Sequence, residues 1–192
     1  MSLSSFAAPR GGKPSRQVYR QGSLDGLCGF YCIINGLTLM RDGRFDGGQA
    51  FRDMIEIVGP SAFARYSTEG MTGRQLVTMV KGFSERLYRR EGYHLHMRKA
   101  FRAAPRSLAE YWRVLDRHQA THGQGSIILA TAGIHDHWSC VRRVTDKALL
   151  MADSGILRRI ERHTATISFA NPARPCILLP AHTYLLSITE RD

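Results

Sequence analysis

The sequence predicts an α+β fold, with N-terminal helices packed on a C-terminal antiparallel sheet. Apolar residues recur at helical spacing up to about residue 120, whereas short apolar runs separated by turn residues follow after about residue 124. Helices followed by strands in this way are typical of segregated layers. A length of 192 residues with 43% hydrophobic residues suits one domain with one sizeable core.

The first predicted helix carries no charged residue between Gly26 and Met40. Its apolar side chains fall all around a helical wheel, which predicts a helix buried on every side. The turn residues at 41–43 should end it. Cys28 follows a turn at 25–27 and would open this helix, where the helix dipole and unpaired backbone N–H groups favour a thiolate.

Three further helices are predicted from apolar side chains at helical spacing. They cover residues 46–58, 72–90 and 107–120. A Gly-Pro pair at 59–60 should end the helix at 46–58, and Thr72 is the predicted N-cap of the helix at 72–90. Ser107 and Glu110 have the spacing of a capping box at the start of the helix at 107–120.

Four strands are predicted after the helices, at residues 126–130, 138–144, 148–152 and 184–188. A polar turn at residues 145–147 should join the second and third strands as a hairpin.

Residues 1–16 are rich in Ser, Gly, Pro and basic side chains, and are predicted to form a flexible basic tail before a domain of residues 17–192. These first residues contain no apolar stretch long enough for a secretory signal, and no uncharged apolar run reaches the roughly 18 residues of a membrane span. We therefore expect a cytoplasmic protein without a membrane span. Export by a signal-independent route stays open.

The charge balance is strongly basic, with 27 Lys and Arg against 16 Asp and Glu and a net charge of +11. Such a balance predicts either an acidic partner, such as nucleic acid, or a compositional bias toward Arg, which supplies 23 of the 27 basic residues. No basic run reaches five residues, and neither an RNA-binding aromatic signature nor zinc-finger spacing is present. The charge alone therefore names no function.

The four cysteines, at positions 28, 32, 140 and 176, include no C-x-x-C pair and are expected to be reduced. Cys32 lies one helical turn inside the first helix and is predicted to be a packing residue. Cys28 lies at a turn-to-helix junction, which core packing does not explain. The pattern therefore makes Cys28 the candidate nucleophile.

A nucleophilic thiol needs a base, and the base needs an orienting group. The predicted hairpin would bring His137, at the start of one strand, close to Asp153, at the end of the next. A carboxylate behind a histidine keeps the right tautomer and can hold an imidazolium beside a thiolate. Trp138 is expected to shield the pair from water. His135 is the competing base, two residues earlier on the same predicted strand face.

An oxyanion hole would complete such a site, since negative charge develops on the attacked carbonyl oxygen. The backbone N–H of Cys28 supplies one donor, and the side-chain amide of Gln21 is the candidate for the other. Gln17 is a weaker candidate. Gly29 would allow a substrate backbone to approach closely.

Metal binding is the alternative for the histidine region, through His135, His137 and Cys140, but a clear fourth ligand is missing. His94 and His96 alternate in a further predicted strand, where structural roles are expected. The sequence therefore predicts no metal or other cofactor.

The combined motifs resemble a papain-like cysteine peptidase, and most closely the group that processes double-glycine leader peptides. The resemblance rests on Gln21, on the Asp-Gly-Leu-Cys-Gly-Phe-Tyr-Cys segment at 25–32, on the His-Trp pair at 137–138 and on the Asp-Ser-Gly at 153–155. The order Cys, His, Asp and the 16-residue interval between His and Asp both match that group.

This resemblance implies a papain-like fold in which Cys28 is the nucleophile, His137 the general base and acid, and Asp153 the orienting residue. Gln21 would be the oxyanion donor. Two residues separate Asp25 from Cys28 where the group usually has none or few, and Gln21 lies seven rather than about six residues before Cys28. The long helical segment before the His strand implies a different substrate cleft.

The predicted function is a cysteine peptidase that hydrolyses a peptide or isopeptide bond of a peptide or protein substrate through an acyl-enzyme. Leader-processing members are commonly fused to transporters and no membrane segment is predicted here, so a leader-peptide substrate does not follow from the resemblance. A host-directed or self-defence protease, a deubiquitinase-like enzyme and an amidase fit the residues equally well. An acyltransferase or transglutaminase-like enzyme would use the same triad with an amine in place of water. A basic nucleic-acid-binding module without turnover is the alternative outside enzymes.

Overall fold

A computed structural model of the chain describes residues 18–22, 25–122, 125–134 and 136–190. The predicted tail, Gln17 and His135 lie outside the described residues. Five α-helices and a seven-stranded sheet make up the described part, which confirms the α+β class. In that part, no helix is long and apolar enough to cross a membrane.

The five helices, in chain order, are α1 (Cys28–Met40), α2 (Gly47–Val58), α3 (Pro60–Glu69), α4 (Gly73–Glu91) and α5 (Leu108–Thr121). The strands are β1 (Tyr93–Lys99), β2 (Ser126–Gly133), β3 (His137–Val144), β4 (Ala148–Met151), β5 (Arg159–Glu161), β6 (Ala165–Thr166) and β7 (Cys176–Glu190).

Helix α1 is buried on almost every side, as its uncharged sequence predicted. Ten of its thirteen residues are buried, and the helix packs against β2, β3 and α2. The buried amide of Asn35 accepts a hydrogen bond from the Tyr19 N–H at 2.7 Å and donates to the Tyr19 carbonyl at 3.1 Å. These two bonds hold the segment before α1 along the side of the helix.

Helix α3 is an addition to the predicted helices, because the Gly59-Pro60 pair indicates a stop in the sequence. The pair does end α2, but Pro60 is also the first residue of α3, a position that proline tolerates well. Gly59 makes the reversal with a φ of +78°. Tyr66 of α3 is buried, and Ala62 and Phe63 pack partly buried against the same core. The helix therefore has a short apolar face, which the Gly-Pro stop signal outweighed.

The predicted N-caps are present. The Thr72 hydroxyl accepts from the Gln75 N–H, and the Gln75 side chain accepts from the Thr72 N–H, which together form a capping box. The Ser107 hydroxyl accepts from the Glu110 N–H at 3.1 Å. The predicted capping box of α5 is only half formed, because the Glu110 carboxylate accepts from the Arg106 N–H instead.

The sheet has the strand order β1-β7-β2-β3-β4-β5 with antiparallel neighbours, and the two-residue β6 pairs parallel to β7. Helices α1 to α4 contribute to a core on one face of the sheet, and α5 packs with its own core on the other face. The layers are therefore less segregated along the chain than predicted. Strand β1 precedes α5, and the long β7 extends well beyond the predicted strand at 184–188.

The predicted hairpin of β3 and β4 is confirmed. The Thr145 hydroxyl accepts from the Ala148 N–H at 2.9 Å and closes the turn. At the other end, the Ala152 N–H donates to the Cys140 carbonyl at 2.8 Å. This pairing carries the residue after Ala152 back toward the start of β3.

Gly26 fixes the turn before α1 by a close approach to the end of α3. A Cβ at this position would lie 2.9 Å from the Gly70 nitrogen and 3.0 Å from the Tyr66 carbonyl oxygen. Both are backbone atoms, so the chain would have to shift. We expect Gly26→Ala to lower the free energy of unfolding by about 2 kcal/mol, as measured by chemical denaturation.

Gly48→Ala is the matched control, because the added methyl group would lie at an ordinary 3.4 Å from a side-chain oxygen of Asp46. Alanine also favours a helix over glycine. Equal stability of the two variants would contradict the tight approach of Gly26 to α3.

Candidate active site

Cys28 is the first residue of α1, as predicted. Leu27 precedes it as an N-cap residue without a side-chain hydrogen bond, and the Gly26 N–H donates to the Ser67 carbonyl at 2.7 Å. Among the described residues, the backbone N–H groups of Cys28 and Gly29 have no acceptor. The half-buried thiol therefore lies beside free donors at the positive end of a helix dipole.

The structure brings His137 and Asp153 together. The Nε2 atom of His137 lies 2.7 Å from Oδ1 of Asp153. The imidazole is 18% exposed and the carboxylate only 1%. His137 begins β3 and Asp153 follows β4, so the hairpin alone creates this pair.

Asp153 accepts three further hydrogen bonds. The Ser139 hydroxyl donates to Oδ1 at 2.7 Å, and the N–H groups of Gly155 and Leu157 donate to Oδ2 at 2.8 and 3.1 Å. Burial by itself would raise the pKa of Asp153, but the bonds from His137 and Ser139 lower it below its ordinary value. Asp153 is therefore an ionised buried carboxylate at neutral pH.

The charge of His137 follows from its two partners. Burial would lower the pKa of the imidazole, but hydrogen bonds with the side chains of Asp153 and Cys28 raise it to about 9. Since Asp153 occupies Nε2, the nitrogen left for the Cys28 sulfur is Nδ1. His137 is therefore an imidazolium at neutral pH, between a carboxylate and a thiol.

Gln21 is held at the same site by Ser154. The backbone N–H of Gln21 donates to the Ser154 carbonyl at 3.1 Å, and its Oε1 accepts from the Ser154 hydroxyl at 2.8 Å. Its Nε2 donates to the Asp25 carbonyl at 3.0 Å. A primary amide has two such hydrogens, and the second has no acceptor within the described part of the chain.

Two contributing residues were missed from the sequence. Ser139 lies two residues after His137 on β3, and this alternation was a usable signal, because such residues share a strand face. Ser154 gave no such signal, since its partner Gln21 is 133 residues away.

The expected role of Gly29 is wrong, whereas that of Trp138 stays a prediction. The indole N–H of Trp138 donates to the Met71 carbonyl at 2.8 Å, and its ring packs against Tyr184 in the core. Gly29 is buried, and a Cβ there would lie 3.1 Å from the Met71 sulfur. The missing side chain of Gly29 therefore makes room for Met71 and not for a substrate backbone.

The remaining cysteines have packing environments. Cys32 is 1% exposed and its thiol donates to the Gly29 carbonyl at 3.1 Å, which confirms the predicted packing role. Burial raises the pKa of Cys32, Cys140 and Cys176. No disulfide is formed by the four thiols.

The metal hypothesis can be compared with the structure only at His137 and Cys140, since His135 lies outside the described residues. Cys140 is buried in the core with its sulfur 3.0 Å from the Ser126 hydroxyl, and His137 pairs its Nε2 atom with Asp153. The ring of His94 stacks on Tyr88, and His96 pairs with Thr189. The described residues contain no group of three or more metal-ligating side chains.

An open cleft of about 570 Å³ lies next to the His137–Asp153 pair. Its walls come from three segments that are distant in sequence, and its lining residues are Arg20, Gln21, Gly22, Ile134, Asp136, His137 and 153–157. This cleft thus joins the candidate catalytic groups to a surface that can receive a ligand. In comparisons with known proteins, no protein-family model and no curated protein matches the chain.

Proposed function

We propose that this protein is a cysteine peptidase with a papain-like fold, which hydrolyses a peptide or isopeptide bond through an acyl-enzyme. One observation carries the proposal: His137 pairs with the Cys28 thiol at a helix N-terminus on one side and with the buried Asp153 carboxylate on the other. An imidazolium in this position supplies the counter-charge for a thiolate and the proton for a leaving amine.

The first half of the reaction forms the acyl-enzyme. The Cys28 thiolate attacks the carbonyl carbon, and the developing oxyanion accepts hydrogen bonds from the Cys28 backbone N–H and the Gln21 amide. The tetrahedral species then breaks its C–N bond, and Nδ1–H of His137 protonates the departing nitrogen. An amine leaves and a thioester on Cys28 remains.

The second half reverses these proton movements. The now neutral His137 takes a proton from water, the hydroxide attacks the thioester carbonyl, and the C–S bond breaks with its electron pair remaining on sulfur. The acid leaves, and the thiolate and imidazolium are restored. Asp153 keeps the Nε2–H of His137 in place throughout, so that Nδ1 always faces the sulfur.

Alkylation by iodoacetamide tests whether Cys28 is the activated thiol. We expect Cys28 to react at least about tenfold faster than Cys176 at pH 6, because Cys28 lies at a helix N-terminus beside His137 whereas burial raises the pKa of Cys176. Peptide mapping by mass spectrometry measures both rates in one sample. Cys176→Ser is the control that leaves the fast labelling in place, and equal rates at the two thiols would contradict the proposal.

The rates of peptide cleavage and of Cys28 alkylation should depend on pH in different ways. Cleavage of a tryptic peptide mixture should fall as the pH rises through about 9, where His137 loses the proton that the leaving amine needs. Alkylation needs only the thiolate, so its rate should not fall over the same range. A parallel decline of both rates would instead indicate unfolding.

A further inference from the structure

Two exposed isoleucines lie on the walls of the cleft beside His137. Ile134 is 57% exposed and Ile156 is 83% exposed. Among the described residues, Phe169 is the only other large hydrophobic side chain with such exposure, and it does not line this cleft. Apolar side chains exposed together at a cleft are available to contact an apolar ligand.

The orientation of Ile156 is a consequence of the hydrogen bonds to Asp153. The N–H groups of Gly155 and Leu157 both donate to Oδ2 of this carboxylate, and Leu157 packs against the core under α5. Ile156 lies between these two residues, whose N–H groups point toward the carboxylate, and its side chain projects into solvent. The carboxylate that orients His137 therefore also fixes one wall of the cleft.

The chemistry of the proposed reaction decides which part of a substrate this cleft would hold. The departing amine takes its proton from His137, so the leaving group must lie on the His137 side of the sulfur. The cleft is lined by His137 and Asp153, and Cys28 is not among its described lining residues. The cleft therefore opens beside His137, the residue that protonates the leaving group, with Gln21 on one wall and 153–157 on another. A leaving-group segment that passes His137 can enter it.

We infer that this cleft binds the leaving-group segment of a peptide substrate, and that Ile134 and Ile156 select an apolar side chain there. The inference rests on the proposed function. The lining charges of Arg20 and Asp136 offset each other, so an apolar side chain gains from contact with the isoleucines while a charged one finds no unbalanced partner.

Aminolysis of a small acyl-enzyme tests this selectivity without knowledge of the natural substrate. p-Nitrophenyl acetate acetylates Cys28 and releases p-nitrophenolate. A competing amine then attacks the thioester carbonyl, its proton passes to His137, and the C–S bond breaks to give an N-acetyl amide and the thiolate. This step is the reverse of acylation, so the amine occupies the leaving-group site.

We expect leucinamide to give about fivefold to tenfold more N-acetyl amide than glycinamide at equal concentration, once the ratio is corrected by the reaction of both amines with an acetyl thioester in solution. In Ile156→Ser the corrected preference should fall to about twofold or less. Phe169→Ser, a matched loss of an exposed apolar side chain outside the cleft, should keep the full preference. The ratio is taken within each variant, so it does not depend on the acetylation rate.

The outcomes separate this inference from the proposed function. Failure of p-nitrophenyl acetate to acetylate Cys28 would remove the proposed function itself. Normal acetylation with no amide product, with equal yields from the two amines, or with a preference that survives Ile156→Ser would overturn the inference and leave the proposed function standing.

Discussion

Replacing Cys28 with alanine should reduce cleavage of a tryptic peptide mixture by roughly 10⁴-fold or more, because no other group can form the acyl-enzyme. The same variant should lose the burst of p-nitrophenolate from p-nitrophenyl acetate. Its fold should be retained, since the half-buried thiol makes a long 3.9 Å contact with the Gly26 carbonyl and pairs with His137, which Asp153 continues to hold. We therefore expect its free energy of unfolding to stay within about 1 kcal/mol of the wild-type value.

Cys32→Ala is the matched control for this variant. Cys32 lies in the same helix but is fully packed, so its loss should lower the free energy of unfolding by about 1 kcal/mol and leave the p-nitrophenolate burst in place. The two cysteines thus separate chemistry from packing within one helix turn. Undiminished peptide cleavage by Cys28→Ala would end the peptidase proposal.

The elements that were predictable from the sequence are those with local signals. Helix α4 has its cap at Thr72 and helix α5 at Ser107, and each cap acts within three residues of its own position. The hairpin that carries His137 and Asp153 was predictable for the same reason, because a polar turn and two short apolar runs determine it.

The remaining features depend on contacts between distant segments. Helix α3 begins at the reversal of Gly59 and packs only Ala62, Phe63 and Tyr66 on the core, so its apolar pattern is short and the Gly-Pro pair before it indicates a stop. The full length of β7 comes from its pairing with both β1 and β2. Local propensity does not include such pairing, which is why only residues 184–188, in the C-terminal half of this strand, were predicted.

The residues of the candidate site likewise fall into those with a local sequence signal and those whose role depends on distant contacts. Cys28, His137 and Asp153 carry side chains whose chemistry is recognisable one by one, and their order along the chain limits how they can meet. The hydrogen bond from the Ser154 hydroxyl to Gln21 forms only because the segment before α1 lies beside the turn after β4. The error at Gly29 has this cause as well, since Gly29 lies against Met71, a residue distant in sequence.

Asp153→Asn should lower peptide cleavage by about 10³-fold to 10⁴-fold. The carboxylate accepts on both oxygens, from His137 and Ser139 on one and from Gly155 and Leu157 on the other. An amide has a single oxygen, so one side of it must present hydrogens to groups that are themselves donors.

Both orientations of the amide are harmful, for different reasons. If its NH₂ group faces His137, then Nε2 must accept and carries no proton, so the ring is neutral with its one proton on Nδ1. Such a ring neither takes the proton of the Cys28 thiol nor provides the imidazolium beside a thiolate. If its oxygen faces His137, the N–H groups of Gly155 and Leu157 lose their buried acceptor, at about 1–3 kcal/mol of stability. In either case the pKa of His137 should fall from about 9, because the charge of its strongest partner is gone.

The loss of stability in Asp153→Asn should itself depend on pH. Since folding lowers the pKa of Asp153, its contribution is fully present above the ordinary value of about 3.9 and is lost as the pH falls through the lower folded value. The difference in unfolding free energy between wild type and variant should thus be full at pH 7 and shrink in strong acid. Denaturation curves at several pH values measure it, and NMR titration of His137 reports the accompanying pKa.

Asp116→Asn is the control for the change of charge, because Asp116 lies exposed on α5, away from the cleft. It should alter neither cleavage nor the titration of His137. Full activity of Asp153→Asn with an unchanged His137 pKa would show that the carboxylate does not orient the imidazole. A lowered His137 pKa with full activity would instead show that catalysis does not need the imidazolium, and the proposed proton transfer to the leaving amine would have to be abandoned.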